Sequence, residues 1–461
     1  MTTARARSRF GTIYLFDPTG HASTGLPDGI VPLRWSPLDA AGTWESARRL
    51  AKAMVSASPA AKGTRHEDHW TSRAEALLGP LLYATALARG SMREVVGCVL
   101  TGRVDQVEKV LLEAAADGNR DAALAHEVLK GVQRAATEER QSIWSATADV
   151  IDVYTTSEAL EAASRSNFDP AVFVRSTDTV YVAAAAEQQA SVAPLVVALI
   201  EAIRDAQYRR HRAAVIAGDD PGPPVSLVLD EVANVAPIAS LPALVSEAGG
   251  QGLHVVAALQ DLSQVRGRWG PEIAEGFLSL FQHVLVLGGI RDTRTLEALS
   301  VICGEWDRPE LAVSRSISRT RKPGQWRRER TRSWSAQSSF TRQRRLDPGE
   351  IYALQPGRGL YLSGSGWRMV RLAPYYAHPR WQAALAAAPQ EIITWPTPPP
   401  PPIDQGLDGL DGAVIGARRR IVDLLADLDT NTGGGNGRAQ GRPPRGDSDD
   451  GGREQGQGRR P

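Results

Sequence analysis

The fold is decided by the stretch Val225-Ser226-Leu227-Val228-Leu229-Asp230-Glu231, a short apolar run that ends abruptly at two adjacent carboxylates. Prolines are concentrated among residues 221–224, directly before the run. A short run of β-branched and leucine residues at this place favours a buried strand of a parallel sheet over a helix. The two carboxylates then lie at the carboxyl end of the strand, at the crevice where open α/β sheets bind ligands.

Two further runs of the same kind follow at similar spacing. One extends from Gly252 to Gln260 and ends in a polar side chain, and the other extends from His283 to Gly289. Segments long enough for helices separate the three runs. The order strand, helix, strand, helix, strand predicts an α/β fold with a parallel sheet.

The pair Asp230 and Glu231 has two interpretations from the residues alone. In a nucleoside triphosphatase, an aspartate at this position holds Mg²⁺ through water, and the neighbouring glutamate polarises the attacking water. An apolar run followed by Asp-Glu is also common by chance. The two carboxylates would then only begin a solvated helix.

The ordered motifs of residues 11–380 resemble type IV coupling proteins, the RecA-like motor ATPases that feed DNA or protein to conjugative and type IV secretion channels. The motifs are Leu227–Glu231, Gly252–Gln264, Leu287–Gly289, Leu299–Ser300 and Gly304. By this resemblance Asp230 and Glu231 look like the Walker B pair, which implies Mg²⁺ binding through water at Asp230 and a catalytic role for Glu231. Gln260 resembles the catalytic polar residue that senses the γ-phosphate of ATP from the neighbouring strand.

A turn near the amino terminus, Asp17-Pro18-Thr19-Gly20, follows a strand-like run from Thr12 to Phe16. Coupling proteins have a similar Asp-Pro-x-Gly on the strand after the phosphate-loop helix, so the resemblance implies a nucleotide-binding role for Asp17. The alternative is that Asp17 only caps the turn that Pro18 and Gly20 impose.

Composition divides the chain into four parts. Residues 1–90 and 167–380 are predicted to form the two parts of a RecA-like motor core, and residues 91–166 an all-α insertion, because that segment has almost no strand pattern. In the family, an all-α domain at this place faces the transported substrate. Residues 381–461 are predicted to contain a proline-rich linker, a short helix and a disordered tail, because their Gly-, Arg-, Asp- and Gln-rich end cannot bury a core.

Residues 314–345 form an arm that is rich in Arg and Ser and contains a single acidic residue, Glu329. Arginines interleaved with aromatic residues can neutralise phosphates and stack on bases. Nucleic-acid contacts are therefore predicted for Trp326, Arg327, Arg328, Arg330, Arg332 and Trp334. The alternative is an exposed hairpin whose arginines stay solvated or pair at a subunit interface.

Charge and hydropathy restrict the partners and the location. The net charge of the 461 residues is +1, so contacts with nucleic acid must come from local patches such as the arm. Two distant cysteines fit a reducing compartment. No segment offers about 18 uninterrupted apolar residues, which predicts a cytoplasmic protein, with peripheral attachment at the inner face of the cell membrane as a second possibility. Many coupling proteins instead begin with membrane helices.

The chain contains no phosphate loop of the form G-x-x-x-x-G-K-[ST], because none of its five lysines follows a glycine. In the family this loop, the Walker A motif, precedes the strand that corresponds to Thr12–Asp17 and would lie upstream of Met1. The arginine finger of the family is also not assigned. Its candidates are Arg266, Arg268, Arg291 and Arg294.

Three functions follow from these patterns, and whether the chain is an enzyme stays open. The leading one is a subunit of a homo-hexameric, DNA-dependent ATPase that uses ATP and Mg²⁺ and delivers single- or double-stranded DNA, or a relaxase–DNA complex, to secretion channel components. The second is an ATP-incompetent relative that binds substrate or DNA. The third is an unrelated enzyme whose sheet matches by convergence.

Overall fold

Short strands of β-branched and leucine residues alternate with longer helices, as in other α/β proteins. A computed structural model describes residues 3–20, 26, 29–58, 67–320, 329–364, 366–374 and 377–386. The strands are β1 (Ile13–Phe16), β2 (Ile30–Pro32), β3 (Thr179–Val182), β4 (Val225–Leu229), β5 (Leu253–Ala257), β6 (His283–Leu287), β7 (Glu305–Thr320), β8 (Glu329–Arg344), β9 (Arg358–Ser363) and β10 (Gly366–Arg371).

Helices connect the strands and form the layers around them. They are α1 (Ala4–Arg7), α2 (Trp44–Ala57), α3 (Glu67–Leu87), α4 (Met92–Thr101), α5 (Asp105–Ala116), α6 (Arg120–Gln133), α7 (Thr137–Val150), α8 (Ser157–Ala162), α9 (Pro170–Phe173), α10 (Gln189–Ala217), α11 (Leu241–Ala248), α12 (Leu262–Trp269), α13 (Pro271–Gly276), α14 (Thr293–Cys303), α15 (Pro348–Tyr352) and α16 (Pro379–Ala386). Short 3₁₀ turns lie between several of them.

The strands pair in four sets. β1 pairs in parallel with β2 and β3, and β4 pairs in parallel with β5 from Val225↔Leu253 to Leu229↔Ala257. β6 pairs antiparallel with β9, and β9 pairs antiparallel with β10. β7 and β8 form a long antiparallel hairpin. The α/β fold predicted from the sequence is confirmed.

One detail of the predicted sheet is wrong. The three apolar runs were expected to lie in one parallel sheet, but β6 has its hydrogen-bonded ladder with β9, from His283↔Ser363 to Leu287↔Gly359, and none with β5 among the described residues. The physical reason is a small second core, in which Val286 of β6 packs with the buried Leu360 and Leu362 of β9.

The main core lies between the sheets and helices α2, α3 and α10. Its largest fully buried side chains include Trp35, Phe16 and Leu77. The second core, under β6 and β9, needs close backbone approach at Gly288, where an added Cβ would lie 2.2 Å from the carbonyl oxygen of Leu354. Any larger residue there would push the loop after β6 away from α15.

Residues 92–162 contain only helices in the described structure, as expected for the all-α insertion. Ser91 and Glu94 form a capping box at the start of α4, and Asn119 accepts a hydrogen bond from the Ala122 amide at the start of α6. Such local caps begin helices without help from distant residues. The boundaries of the insertion and of the motor core remain predictions, and the tail predicted beyond α16 lies outside the described residues.

No helix among the described residues combines the length and apolar character needed to cross a bilayer. The longest, α10, has 29 residues.

Candidate functional site

The carboxyl ends of β4 and β5 meet at one edge of their sheet. The ladder continues past the strands, because the amide of Ala258 donates to the carbonyl of Leu229 at 2.9 Å and the amide of Val232 donates to the carbonyl of Ala258 at 3.4 Å. Asp230 and Glu231 leave β4 at this point, and Gln260 follows β5 by three residues. Parallel strands place these side chains on the same edge.

Glu231 is the centre of this edge. One carboxylate oxygen accepts from the Gln260 side-chain amide at 3.2 Å, and the other accepts from the Asn234 amide at 3.2 Å. The backbone of Glu231 has φ of 50°, in the left-handed region that costs a non-glycine residue about 1 kcal/mol or more. The turn after β4 holds this conformation and aims the carboxylate across the sheet toward β5.

Gln260 is positioned by its own helix. Its backbone amide donates to the side-chain oxygen of Gln264 at 3.0 Å, one turn into α12. Asp261 caps the same helix by accepting from the amide of Ser263 at 2.8 Å. Sequence reasoning missed Asn234 and Gln264 as supports. Their spacing of three and four residues from Glu231 and Gln260 is the signal that could have found them.

Asp230 is exposed, and one of its carboxylate oxygens accepts from the amide of Glu231 at 3.1 Å. It makes no ion pair within the part of the chain that the structure describes. Three or more His, Cys, Asp or Glu side chains do not cluster into a metal cage anywhere in that part. One exposed carboxylate fits Mg²⁺, which keeps most of its waters and uses one or two carboxylates plus substrate phosphates.

Asp17 does not join the other site residues through strand pairing. It lies at the end of β1, whose partners are β2 and β3 rather than β4. Its side chain is buried and accepts from the amide and the hydroxyl of Thr19 at 3.1 and 2.7 Å. The turn-cap contacts are therefore present, and a nucleotide contact by Asp17 stays a prediction.

A buried bridge joins the segment after β5 to the helix after β6. The amide of Leu262 donates to the hydroxyl of Thr295 at 3.0 Å, and Arg266 pairs with Asp292 at 2.6 Å. Burial alone would raise the pKa of Asp292, but hydrogen bonds from Arg266 and Thr295 outweigh it and lower the pKa. The N-cap position of Asp292, three residues before Thr295, is a sequence signal that was missed.

The four candidates for the arginine finger differ in whether they make contacts within the fold. Arg266 is engaged with Asp292, and Arg268 donates to the carbonyls of Ser56 and Ala57 at 2.8 and 3.1 Å, where it caps the carboxyl end of α2. Arg291 and Arg294 are exposed at the start of α14. The first two arginines have structural contacts, and a role of Arg291 or Arg294 as the arginine finger stays a prediction.

The predicted nucleic-acid arm lies on the β7–β8 hairpin. The backbone register pairs Arg319 with Arg330, Ile317 with Arg332, and Arg315 with Trp334. Trp326, Arg327 and Arg328 lie outside the described residues. The arm is therefore a hairpin, as the alternative to nucleic-acid binding expected. Its contacts with nucleic acid or with another subunit stay predictions.

The base of the hairpin is tied to the domain. Arg344 donates to Glu297 of α14 at 2.7 Å, and Arg342 pairs with Glu305 across the two strands at 2.6 Å. The hydrogen bond from Arg344 lowers the pKa of the Glu297 carboxyl. The hydroxyl of Ser300 also donates to the carbonyl of Leu346 at 2.6 Å. The arginines nearest the domain are therefore structural.

Residues 224–356, which contain β4, β5 and the hairpin, match the family model described as the TraM recognition site of TraD and TraG. Over these residues the chain is similar to TraD and TraG. No curated protein sequence matches this chain.

Solved structures of the conjugative coupling protein TrwB show the same fold. The unbound form, TrwBdeltaN70, has 20% sequence identity and a TM-score of 0.55, over 78% of this chain and 73% of that one. TrwB in complex with ADP and Mg²⁺ has 18% identity and a TM-score of 0.52, over 80% of this chain and 86% of that one. TrwB with a non-hydrolysable ATP analogue has 19% identity and a TM-score of 0.54, over 78% and 74%.

Proposed function

We propose that this chain is a motor subunit of conjugative DNA transfer, which delivers DNA or a relaxase–DNA complex to a type IV secretion channel. The observation that carries the proposal is the hydrogen bond between Gln260 and Glu231, which joins two adjacent parallel strands at their carboxyl edge. This edge is where α/β proteins bind nucleotides. The match of residues 224–356 to the TraM recognition site of TraD and TraG supports the same function.

In this proposal each residue at the edge has one task. Asp230 would hold Mg²⁺ through water, and Glu231 would accept a hydrogen bond from the attacking water and polarise it. Gln260 now donates to Glu231, and it would turn the same amide toward an incoming phosphate oxygen. That exchange would release Glu231 for the water only when the nucleotide is in place.

The proposal extends to partners. Coupling of ATP hydrolysis to DNA movement would occur in a homo-hexamer, with an exposed arginine, Arg291 or Arg294, facing the site of the neighbouring subunit. The β7–β8 hairpin and the helices α4 to α8 are then the surfaces for DNA and for the transported protein. The TrwB complexes with ADP and Mg²⁺ and with an ATP analogue support ATP and Mg²⁺ as ligands.

A transfer assay in cells that carry the gene at its native locus tests the function. Transfer of an origin-bearing plasmid should fall at least about a hundredfold in Glu231→Gln, which keeps the size of the side chain but removes the base. The matched control is Asp219→Asn, an exposed acid in the loop before β4. Undiminished transfer in Glu231→Gln, Asp230→Asn and a full deletion would show that the chain is not a transfer motor.

A further inference from the structure

Three alternate backbone amides fix the segment that carries Gln260. The amide two residues before Gln260 donates to the carbonyl at the end of β4, and the amide of Gln260 itself donates to the Gln264 side chain at 3.0 Å. The amide two residues after it, that of Leu262, donates to the hydroxyl of Thr295 at 3.0 Å. Of these three acceptors, the hydroxyl of Thr295 lies on a helix from another part of the chain, α14.

The hydroxyl of Thr295 has one hydrogen, and the direction of its two bonds follows from its partners. The Leu262 amide can only donate, so the hydroxyl oxygen accepts from it, and the hydroxyl hydrogen goes to the carboxylate of Asp292. Leu262 and Thr295 are 6% and 3% exposed, so water is not at hand to replace a lost bond. Valine has the shape of threonine but can neither accept nor donate, whereas serine can do both.

The carboxylate of Asp292 closes a ring back to α12. Arg266, which pairs with Asp292 at 2.6 Å, lies one helical turn after Leu262 on the same face of α12. α12 is therefore attached to the start of α14 at two points, through the amide of Leu262 and through the guanidinium of Arg266. Two attachments one turn apart fix both the rotation of a helix about its axis and its shift along that axis.

The contact between Gln260 and Glu231 is sensitive to where this attachment holds the chain. Gln260 stands two residues before Leu262, and its side-chain amide reaches Glu231 at 3.2 Å. This distance lies at the long end of the usual range of about 2.7–3.2 Å, so a small displacement of the segment breaks the bond. In catalysis, a displacement of about 1 Å costs on the order of a hundredfold in rate.

We infer that Thr295 is a positioning residue, whose hydroxyl holds the start of α12 at the place from which the Gln260 amide reaches Glu231. Thr295 acts through Gln260 and not on the reacting groups themselves. The effect of this placement on transfer rests on the proposed function, whereas the placement is a property of the folded chain alone. If the hydroxyl only stabilised the fold, its loss would lower stability and leave Gln260 where it is.

Nuclear magnetic resonance of residues 1–461 with isotope-labelled glutamine tests the placement without nucleotide. The side-chain amide signal of Gln260 is identified by its loss in Gln260→Ala, and Glu231→Ala gives the position of the signal when the hydrogen bond is absent. In Thr295→Val the signal should move toward that position, and in Thr295→Ser it should stay at the wild-type position. A signal at the wild-type position in Thr295→Val would overturn the inference.

Thr147→Val is the matched control, because it makes the same substitution at an equally buried hydroxyl. Thr147 is 0% exposed, and its hydroxyl donates to the carbonyl of Ile143 within α7 at 2.8 Å. The Gln260 signal should stay at the wild-type position in this variant. An equal shift in both valine variants would show a general loosening of the fold and contradict the inference. Should Thr295→Val fail to fold, Thr295→Cys, whose sulfur is a weak acceptor, should move the signal in the same direction.

Plasmid transfer in cells tests the consequence for function. Thr295→Val should lower transfer by at least about tenfold, because Gln260 is displaced. Thr295→Ser and Thr147→Val should transfer at the wild-type level, at equal amounts of protein in immunoblots. Undiminished transfer in Thr295→Val, where Glu231→Gln is defective, would overturn the positioning role. Undiminished transfer in Glu231→Gln as well would count against the proposed function instead, and the Gln260 signal would still decide the placement.

Discussion

The side-chain amide of Gln260 donates to Glu231 at 3.2 Å, and this contact spans two strands that are 28 residues apart in their paired register, from Leu229 to Ala257. One carboxylate oxygen of Glu231 accepts this hydrogen bond from the β5 side, and the other accepts from the side-chain amide of Asn234. Glu231 is therefore held by two neutral amides, which fix its direction without neutralising its charge.

Residues 1–461 alone should hydrolyse ATP only at background rate, with or without single-stranded DNA. The residues described at the site supply carboxylates and an amide, and no lysine of the chain lies in a phosphate loop. A coupled assay of phosphate release measures this. DNA-stimulated hydrolysis that Glu231→Gln abolishes would show instead that the phosphate contacts come from residues of this chain.

The left-handed backbone of Glu231 predicts an unusual order of stability among its substitutions. Glu231→Gly should be more stable than Glu231→Ala by about 1 kcal/mol, because glycine adopts positive φ without strain. At Asn234, which is not among the residues with positive φ, the glycine variant should be the less stable of the two. Urea unfolding of the four variants gives the comparison, and equal stability of Glu231→Gly and Glu231→Ala would contradict the strain.

Asp292 should stabilise the fold in a manner that depends on pH. Asp292→Ala removes the N-cap of α14 and the partner of Arg266, which should cost about 1–3 kcal/mol in unfolding free energy. Because the folded state lowers the pKa of Asp292, its contribution is complete above the ordinary aspartate pKa and is lost as pH falls through the folded-state pKa.

Urea titrations of the wild type and of Asp292→Ala should therefore converge at acidic pH. Asp219→Ala, at an exposed loop position, is the control and should lie within about 0.5 kcal/mol of the wild type throughout. A constant difference between Asp292→Ala and the wild type down to the most acidic stable pH would contradict the role of the ionised carboxylate.

Alanine substitutions in the two groups of arginine-finger candidates should have different effects on the free energy of unfolding. Arg268→Ala leaves the carbonyls of Ser56 and Ala57 without their donor and should destabilise the monomer by about 1–3 kcal/mol. Arg294→Ala, at an exposed position, should change monomer stability by less than about 0.5 kcal/mol. Thermal unfolding measures both, and the reverse order would return Arg268 to the candidates.

The outer part of the hairpin should determine the salt dependence of DNA binding. Val313 pairs with Ala336, so residues 314–335 can be replaced by an Asn-Gly turn that keeps the anchored base. If the arginines contact phosphates, replacing Arg327, Arg328, Arg330 and Arg332 by alanine should reduce the slope of log affinity against log salt by up to about 3 for single strands. Stacking by Trp326 or Trp334 would add about 1–3 kcal/mol per base.

Filter binding across a salt series measures the slope, and sedimentation of the shortened variant measures assembly. A variant that binds DNA with an unchanged slope but no longer assembles would assign the hairpin to a subunit interface. Arg344→Ala, at the tied base, should instead affect stability more than the slope.

The elements that could be predicted from the sequence are those with a strong local signal. The three apolar runs form β4, β5 and β6, although β5 ends at Ala257 and β6 at Leu287, a few residues before the ends of the predicted runs. The edge shared by Asp230 and Gln260 follows from the geometry of parallel strands. The pairing of β6 with β9 was not predictable, because β6 and β9 are joined only after the hairpin intervenes, and an apolar run does not encode its partner.

The hairpin itself gave no periodic signal. Serine and arginine along both strands present no apolar alternation, and its ladder depends on backbone hydrogen bonds between residues far apart in sequence, such as Glu305 and Arg344. The contacts of Arg268 with α2 could not be predicted from the sequence either, because they join residues more than 200 positions apart. Tertiary contacts of this kind leave no local pattern.

The two kinds of ladder in this protein respond differently to mechanical force. In the β7–β8 hairpin, the hydrogen bonds lie across the ribbon, and a load that separates the strands at the tip breaks them one pair after another. In the β4–β5 pair, a load along the strands strains all the bonds between Val225 and Ala257 at once. The hairpin therefore yields at low force to a load that separates its strands at the tip, whereas the β4–β5 pair resists a load along its strands.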